Sequence, residues 1–445
     1  MAQDASKNAG ATLPQQSFKF LMYMSAGIFG TQMAFALESA QLGRLLQTIG
    51  ASSELLGIIF VIPPLAGLLV QPLVGKYSDL TWLPKLGGRR LPYLIIGSIF
   101  TMLTLILLPN VGSFGWTTGT AVAVATVILG VFMIASNVCI QPYKMLAGDM
   151  VNEQQRGQAY SVQSFLANAG TVVATVAPFA LTLVGVPNTA PKGQVPPTVA
   201  WAFYIAAAAI GIFSLVTVSH VREYDPTTYD RYHGLSRTPR QVSMVTLLKR
   251  APRIFWVMAL VQFFAYLAFG YLWVYGAGTV AHNVFGSDNP DSAGYQMGGN
   301  LFGILSGLYA LTAVGLSFVL ARLPKKLYAT ALGLTLMVGG GGLALVALVH
   351  NQAMMFLAFI LVGVGWSALS VYPLTYVTDA VDSQYMGTYL GLFNAQICIP
   401  QILGSVASVV ILPLFKQSMP AMIAVAAVAM VIAALATLLI RPEEG

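Results

Sequence analysis

The sequence predicts an all-α membrane protein: twelve transmembrane helices in two six-helix repeats. Three observations carry this. The 445 residues are 57% hydrophobic and only 8% charged, whereas a soluble domain is about a quarter charged. The apolar residues gather into twelve runs, each near the ~20 residues that a bilayer requires. A polar stretch at 221–252, beginning VREYDPTTYD, divides these runs six and six.

The runs are 18–45, 53–78, 92–109, 120–147, 158–184, 198–220, 253–281, 299–321, 327–349, 353–378, 387–413 and 419–440. They are too long and too evenly apolar for barrel strands, which alternate over about ten residues. Pro63-Pro64, Pro142, Pro178, Pro373 and Pro400 fall inside runs and are expected to kink them. The glycines from Gly339 to Gly342 indicate close helix contact in the ninth run. The chain therefore divides into a polar tail (1–17), an N-terminal bundle (18–220), a linker (221–252) and a C-terminal bundle (253–440). The tail, MAQDASKNAGATLPQQS, lacks a signal-peptide pattern and reads as cytoplasmic.

Basic residues set the orientation. With the N-terminus inside, 19 of the 22 Lys and Arg fall on the cytoplasmic side, and only Arg44, Lys192 and Lys416 fall outside. Both termini are thus expected in the cytoplasm. The net charge of +7 is spread over short loops, so it marks topology and not nucleic-acid binding. Cys139 and Cys398 lie in apolar runs and read as packing residues. His220, His233, His282 and His350 are not at ligand spacing, and no phosphate-binding loop or catalytic constellation is found, so no metal, cofactor or enzymatic activity is expected.

Two motifs repeat or mark the architecture. PYKMLAGDMVNEQQRGQAY (142–160) parallels PLTYVTDAVDSQYMGTY (373–389): Asp149 precedes Gly157 as Asp379 precedes Gly387, both offset by 379 − 149 = 387 − 157 = 230 residues. The same pair in two six-run halves points to duplication. After the second run comes QPLVGKYSDLTWLPKLGGRRLPY (71–93). Gly75, Asp79, Gly88, Arg89 and Arg90 resemble the G-x-x-x-D-(R/K)-x-G-(R/K)-(R/K) signature of the major facilitator superfamily, across a lengthened spacer. Such parallel repeats place a site at the membrane midplane between the halves.

The first-run segment GTQMAFALE, ending at Glu38, together with VQPLVGKYSD and GRRLPY, resembles the sucrose and maltose carriers. These are the plant sucrose:proton symporters with their animal and bacterial relatives, near the glycoside-pentoside-hexuronide:cation symporters. Gln163-Ser164-Phe165 is similar to the Q-S-F of bacterial members, and Asn137, Gln141-Pro142 and Asp149 resemble the fourth-run pattern. The resemblance covers most of the N-terminal half, and the C-terminal half by architecture. It implies a cavity lined by the first, fourth, seventh and tenth helices. One departure matters. Plant members carry an acid just before the fourth-run Asn, but here VFMIASN places Met133 and Ile134 there. Proton coupling through that acid does not carry over, whereas Glu38 matches the first-helix Glu of animal and some bacterial members.

Of the fifteen Asp and Glu, only Glu38 lies well inside a run. A carboxylate there costs a few kcal/mol or more (about 2.5–3.5 on insertion scales). Low-dielectric surroundings favour the neutral acid and water favours the ion, so an acid in a cavity that opens and closes can load and release a proton. Glu38 is therefore the expected proton-coupling residue; a permanent bond to a neighbouring helix is the alternative. Expected sugar-binding residues are Gln32, Glu38, Gln41 (one turn from Glu38), Asn137, Gln141, Gln163, Gln262, Tyr266, Trp366, Tyr372, Asn394 and Gln396. Asn168 and Trp273 share these runs. Amides donate to and accept from hydroxyls, and aromatic faces stack on sugar C–H faces, although each such residue also serves as helix–helix glue. Expected gating residues are Gly75, Asp79, Arg89, Arg90, Asp149, Arg156 and Asp379, with Asp79 paired to Arg89 or Arg90 and Asp149 to Arg156.

The expected protein is a secondary transporter of the bacterial inner membrane. It imports a disaccharide of the sucrose or maltose class with a proton, and functions in the bilayer as a monomer. Alternatives are an uncoupled or sodium-coupled glycoside carrier, a sugar exporter, or a membrane sugar sensor.

Overall fold

The computed structural model describes residues 13–233, 244–320, 322–381 and 386–441. Among the described residues, twelve helices are long and apolar enough to cross a membrane. They are α1 (Phe18–Thr48), α2 (Ser53–Leu80), α3 (Leu91–Ser113), α4 (Thr118–Met150), α5 (Gln154–Leu183), α6 (Pro197–His220), α7 (Arg253–Phe285), α8 (Ala293–Leu320), α9 (Lys325–Leu348), α10 (Gln352–Ala380), α11 (Thr388–Leu414) and α12 (Met419–Leu439). The chain is a multi-pass membrane protein. Lys7, Arg237 and Arg240, which entered the charge count above, lie outside the described residues, as do 1–12 of the tail and 234–243 of the linker.

Polar caps start several helices. The side chains of Ser17, Thr117, Asn152, Asn351 and Ser418 each accept a backbone N–H of the following turn. The prolines act in two ways. Pro63-Pro64 removes two successive N–H donors, and α2 breaks just before them, between Ser53–Ile59 and Ile62–Leu80. Pro373 likewise opens the second segment of α10, Tyr372–Ala380, after Gln352–Leu369. Pro142, Pro178 and Pro400, also expected to kink their runs, sit inside unbroken helices. A single proline removes one helical bond, and neighbouring elements can absorb that loss.

Several boundaries exceed the expected runs, and two of them bear on the site. α1 continues to Thr48, and α8 begins at Ala293 instead of 299. The extra turns of α8 carry Gln296 into a helix, beside Arg44 near the end of α1.

Within the first six helices, α1 packs on α5 and α6, and α3 on α4 and α6. Within the last six, α7 packs on α12 and α8, α9 on α10 and α12, and α8 on α10. The two sets meet where α1 faces α7, α2 faces α11 and α5 faces α8. The ninth-run glycines do allow close contact: a Cβ on Gly339 would stand 2.9 Å from the Gly365 Cα, and one on Gly342 2.7 Å from the Ala358 carbonyl oxygen. The start of α1 and the end of α12 define a terminal face, which also holds the short linker helices Pro226–His233 and Met244–Arg250. The opposite end is the far face.

Candidate functional site

A cavity of about 330 Å³ lies between the two sets of helices. Gln32, Phe35, Glu38 and Ser39 line it from α1; Phe60, Pro63 and Pro64 from the break in α2; Asn168 and Thr171 from α5. The other side is formed by Gly270 and Trp273 of α7, Tyr309 of α8, Trp366 of α10, and Gln401 and Ser405 of α11. Glu38 is half-buried. Among the described residues its carboxylate has no hydrogen-bond or ion-pair partner, although ordinarily a group in that position would be bonded.

Across from Glu38 stands an aromatic wall. The Trp366 ring meets Phe269 edge-on at 4.6 Å between centroids, and Trp273 and Tyr266 at 5.9 Å each. The Trp273 indole donates to the Tyr309 hydroxyl at 3.2 Å, which fixes both rings. A carboxylate, several amides and a rigid aromatic surface can together hold a polyhydroxylated ring: hydroxyls bond to the first two, and C–H faces lie on the last.

The other expected binding residues are arranged differently. Gln32, Glu38 and Trp366 line the cavity, and Tyr266 stands behind Trp366. Gln41 points away: it is fully buried, its carbonyl accepts from Arg44 at 3.2 Å, and its amide nitrogen faces the small Gly303 of α8. Asn137 accepts from Gln71 of α2 at 2.7 Å and donates to the Met133 carbonyl. Gln163 donates to the Tyr143 carbonyl at 2.9 Å, tying α5 to α4. Gln262 donates to Gln396 at 3.0 Å. The Tyr372 hydroxyl donates to the Leu320 carbonyl, and its ring stacks on Tyr328. These amides and this tyrosine tie helices together, and they, Gln141 and Asn394 are absent from the cavity lining. α4 contributes no lining residue either, while α2, α5, α8 and α11 do. Phe60, Thr171, Tyr309, Gln401 and Ser405 escaped the sequence reading; the proline pair beside Phe60 was the one available signal.

A second polar layer lies about 9 Å beyond Glu38 along α1, six residues at 1.5 Å each, toward the far face. Here Arg44 is completely buried. Its Nε donates to Gln296 at 2.6 Å, and its Nη atoms to Asn300 at 2.6 Å, Asn188 at 2.9 Å and Gln41. Every acceptor is a neutral amide. Tyr295 donates to Gln47, and Asn300 to Thr182 at 3.0 Å. The layer joins α1 and α5 to α8 on the far-face side of the cavity. Arg44 was expected on the outer side as one of three exceptions to the charge bias; it lies within α1, as the run 18–45 implied, and is buried between helices.

At the terminal face, Arg90 is nearly buried at the start of α3. It pairs with Asp79 at 2.5 Å and with Asp149 at 2.9 Å, and also donates to Ser78 and weakly to the Gly75 carbonyl. Arg89 pairs with Asp149 at 3.3 Å and lies 3.6 Å over the Tyr229 ring, whose hydroxyl donates to Asp149. Arg156 was expected to pair with Asp149; among the described residues that carboxylate is held by Arg89, Arg90 and Tyr229, where the loop after α2 folds back over the end of α4. Glu223 accepts from the backbone N–H groups of Arg90 and Leu91, capping α3. Burial pushes its carboxyl group up, against the opposing pull of the N–H groups of Leu91, Arg90 and Arg89. Asp379, at the equivalent end of α10, pairs with Lys325 at 2.5 Å.

Residues 18–405 match the Major Facilitator Superfamily. The chain belongs to this superfamily. Solved structures agree on the fold: the peptide transporter POT in complex with sulfate superposes with a TM-score of 0.69 at 14% identity, covering 100% of this chain and 99% of that one. The nucleoside transporter NupG gives 0.65 at 13% identity, covering 94% and 98%. Similar sequences match over shorter stretches. Human "Proton-associated sugar transporter A" is 34% identical over 22% of this chain and 13% of its own length. "Sucrose transport protein SUT3" of Oryza sativa subsp. indica is 31% identical over 32% and 30%, and the "General alpha-glucoside permease" of Schizosaccharomyces pombe 25% identical over 38% and 32%. The chain thus matches about a third or less of the length of these relatives. Sucrose carriers among the relatives agree with the resemblance read from the N-terminal motifs.

Proposed function

We propose that this superfamily member imports a disaccharide of the sucrose or maltose class together with a proton by alternating access, with both termini in the cytoplasm of a bacterial cell. Membership of the superfamily makes the chain a transporter and not an enzyme. The relatives named for sucrose, alpha-glucosides and proton-associated sugar transport support the substrate class. The observation that carries the reading is Glu38: a carboxylate without a bonded partner among the described residues, in a cavity walled by Trp273, Trp366 and Tyr309.

In this reading the neutral Glu38 donates to a sugar hydroxyl and the aromatic wall takes a C–H face. Release of the proton to the cytoplasm leaves an anion that no longer donates, and the sugar departs. The Arg44 layer is the outer gate. Its four bonds to amides hold the face shut, yet no carboxylate locks the guanidinium, and water replaces amides readily when α1 and α8 part. The Asp79, Arg90 and Asp149 cluster works at the inner face, tying the ends of α2, α3 and α4 into one body that rocks.

The test is uptake of labelled sucrose and maltose into proteoliposomes with and without an inward proton gradient. Uphill accumulation that follows the gradient is expected for the parent. Glu38→Gln, which mimics the neutral acid, should bind and exchange sugar but fail to accumulate it. Accumulation by this variant at the parent level would remove Glu38 as the proton carrier; no uptake of any sugar by the parent would remove the substrate class.

A further inference from the structure

A groove of about 510 Å³ runs between α9 and α12 on the outside of the bundle, at the terminal face, away from the transport cavity. Its polarity changes in order along the helix axis. At the mouth stand Lys326, in the first turn of α9, and Arg441, just after α12. Lys326 is exposed and has no ion pair or hydrogen bond among the described residues, whereas its neighbour Lys325 is engaged by Asp379. One turn deeper comes Thr330, then Leu334 and Met337 on the same stripe of α9, facing Leu438 of α12. Leu334 is 63% exposed and Leu438 79%, both on the outer surface of the bundle. The floor is closed, since a Cβ on Gly333 would stand 2.5 Å from the Thr437 hydroxyl. The groove is therefore a blind cleft open to the bilayer and not a passage between helices.

We propose that this groove is a binding site for an anionic phospholipid of the leaflet at the terminal face. The headgroup phosphate lies between Lys326 and Arg441, the glycerol region reaches Thr330, and an acyl chain follows Leu334, Met337 and Leu438. The order of groups decides the occupant. A soluble anion would use the two cations and leave the leucines bare. A sugar would gain nothing from them. Basic pockets between helices at the cytoplasmic side recognise anionic headgroups by the same charge complementarity, and the volume is many times the ~30 Å³ of one water, so it holds a headgroup and the start of a chain.

Native mass spectrometry of the full chain, released from mixed phosphatidylglycerol and phosphatidylcholine, tests this. One phosphatidylglycerol should be retained in preference to phosphatidylcholine, and the same lipid should raise the melting temperature in detergent. Lys326→Gln combined with Arg441→Gln should weaken retention on the order of tenfold or more, since both basic residues that face the headgroup are lost. Equal retention of both lipids by the parent would show only an apolar surface and overturn the proposal. So would a double variant that keeps the full preference. Glycerol 3-phosphate raising the melting temperature as much as the lipid does would make this a soluble-anion site and overturn it too. The sequence continues as Pro442-Glu443-Glu444. Glu443→Gln with Glu444→Gln should leave retention as in the parent; a rise from none to one lipid would assign the native groove to the chain's own tail. Should the double variant fail to fold, the parent's lipid preference and the glycerol 3-phosphate comparison still decide the matter.

Discussion

Glu38 was legible in the sequence because a carboxylate inside an apolar run violates the cost of burying charge, and that violation survives without any knowledge of neighbours. Its neighbours were not legible. Gln41 shares a helix face with Glu38 by spacing, yet what it touches depends on α8, where Gly303 and the layer around Arg44 receive it. Amides such as Asn137 and Gln163 bond a second helix in the same way that they would bond a sugar, so residue type alone cannot separate the roles. Trp366 and Tyr372 make the contrast testable. Trp366 lines the cavity, whereas the Tyr372 hydroxyl is spent on the Leu320 carbonyl. Trp366→Ala should raise the half-saturating sugar concentration by up to about tenfold, the scale of an aromatic contact worth about 0.5–1.5 kcal/mol. Tyr372→Phe should lower stability by about 1 kcal/mol and leave that concentration unchanged. Sugar titrations of both variants check it; a larger shift from Tyr372→Phe would place the sugar elsewhere.

Helices were legible in number and place, but not in their last turns. Hydropathy falls off gradually at the bilayer surface, and caps, not apolarity, decide where a helix stops. The earlier start of α8 brings Gln296 into a helix beside Asn300, and these two make Arg44, near the end of the first run, the centre of a layer between helices. The gating consequence belongs to these elements. If the layer holds the far face shut, Arg44→Gln should favour its opening. Ser39→Cys provides the reporter, since Ser39 lines the cavity, in a background with the buried thiols Cys139 and Cys398 replaced by alanine. Labelling of this cysteine by an impermeant thiol reagent added from outside should rise several-fold when Arg44→Gln is introduced. Labelling that stays at the parent rate would show that other contacts carry the seal.

At the scale of the whole molecule the duplication was legible as two Asp residues 230 positions apart (379 − 149), and the structure gives both the same kind of partner, a cation from the loop two helices back along the chain: Arg90 for Asp149, Lys325 for Asp379. What the repeat could not reveal is that the copies differ in burial. Arg90 is 2% exposed and shared by Asp79 and Asp149, with Arg89 and Tyr229 of the linker closing over the second carboxylate. The Lys325–Asp379 pair stands in solvent, at 65% and 51% exposure. Removing Asp149 takes one of two carboxylates from the buried Arg90 and leaves it Asp79 alone, at a cost below the ~3–5 kcal/mol of a wholly unpaired buried charge, while an exposed pair is solvated either way. Asp149→Asn should therefore lower the thermal stability of the purified protein markedly and slow transport more than it weakens sugar binding, because the body formed by α2, α3, α4 and the linker helix no longer moves as one. Asp379→Asn should leave the melting temperature within error of the parent. Thermal unfolding of the two variants side by side, in the same detergent, reads the difference directly. Equal losses would mean that the two halves carry their motif charges alike, and that the burial of Arg90 does not make the N-terminal copy the stiffer of the two.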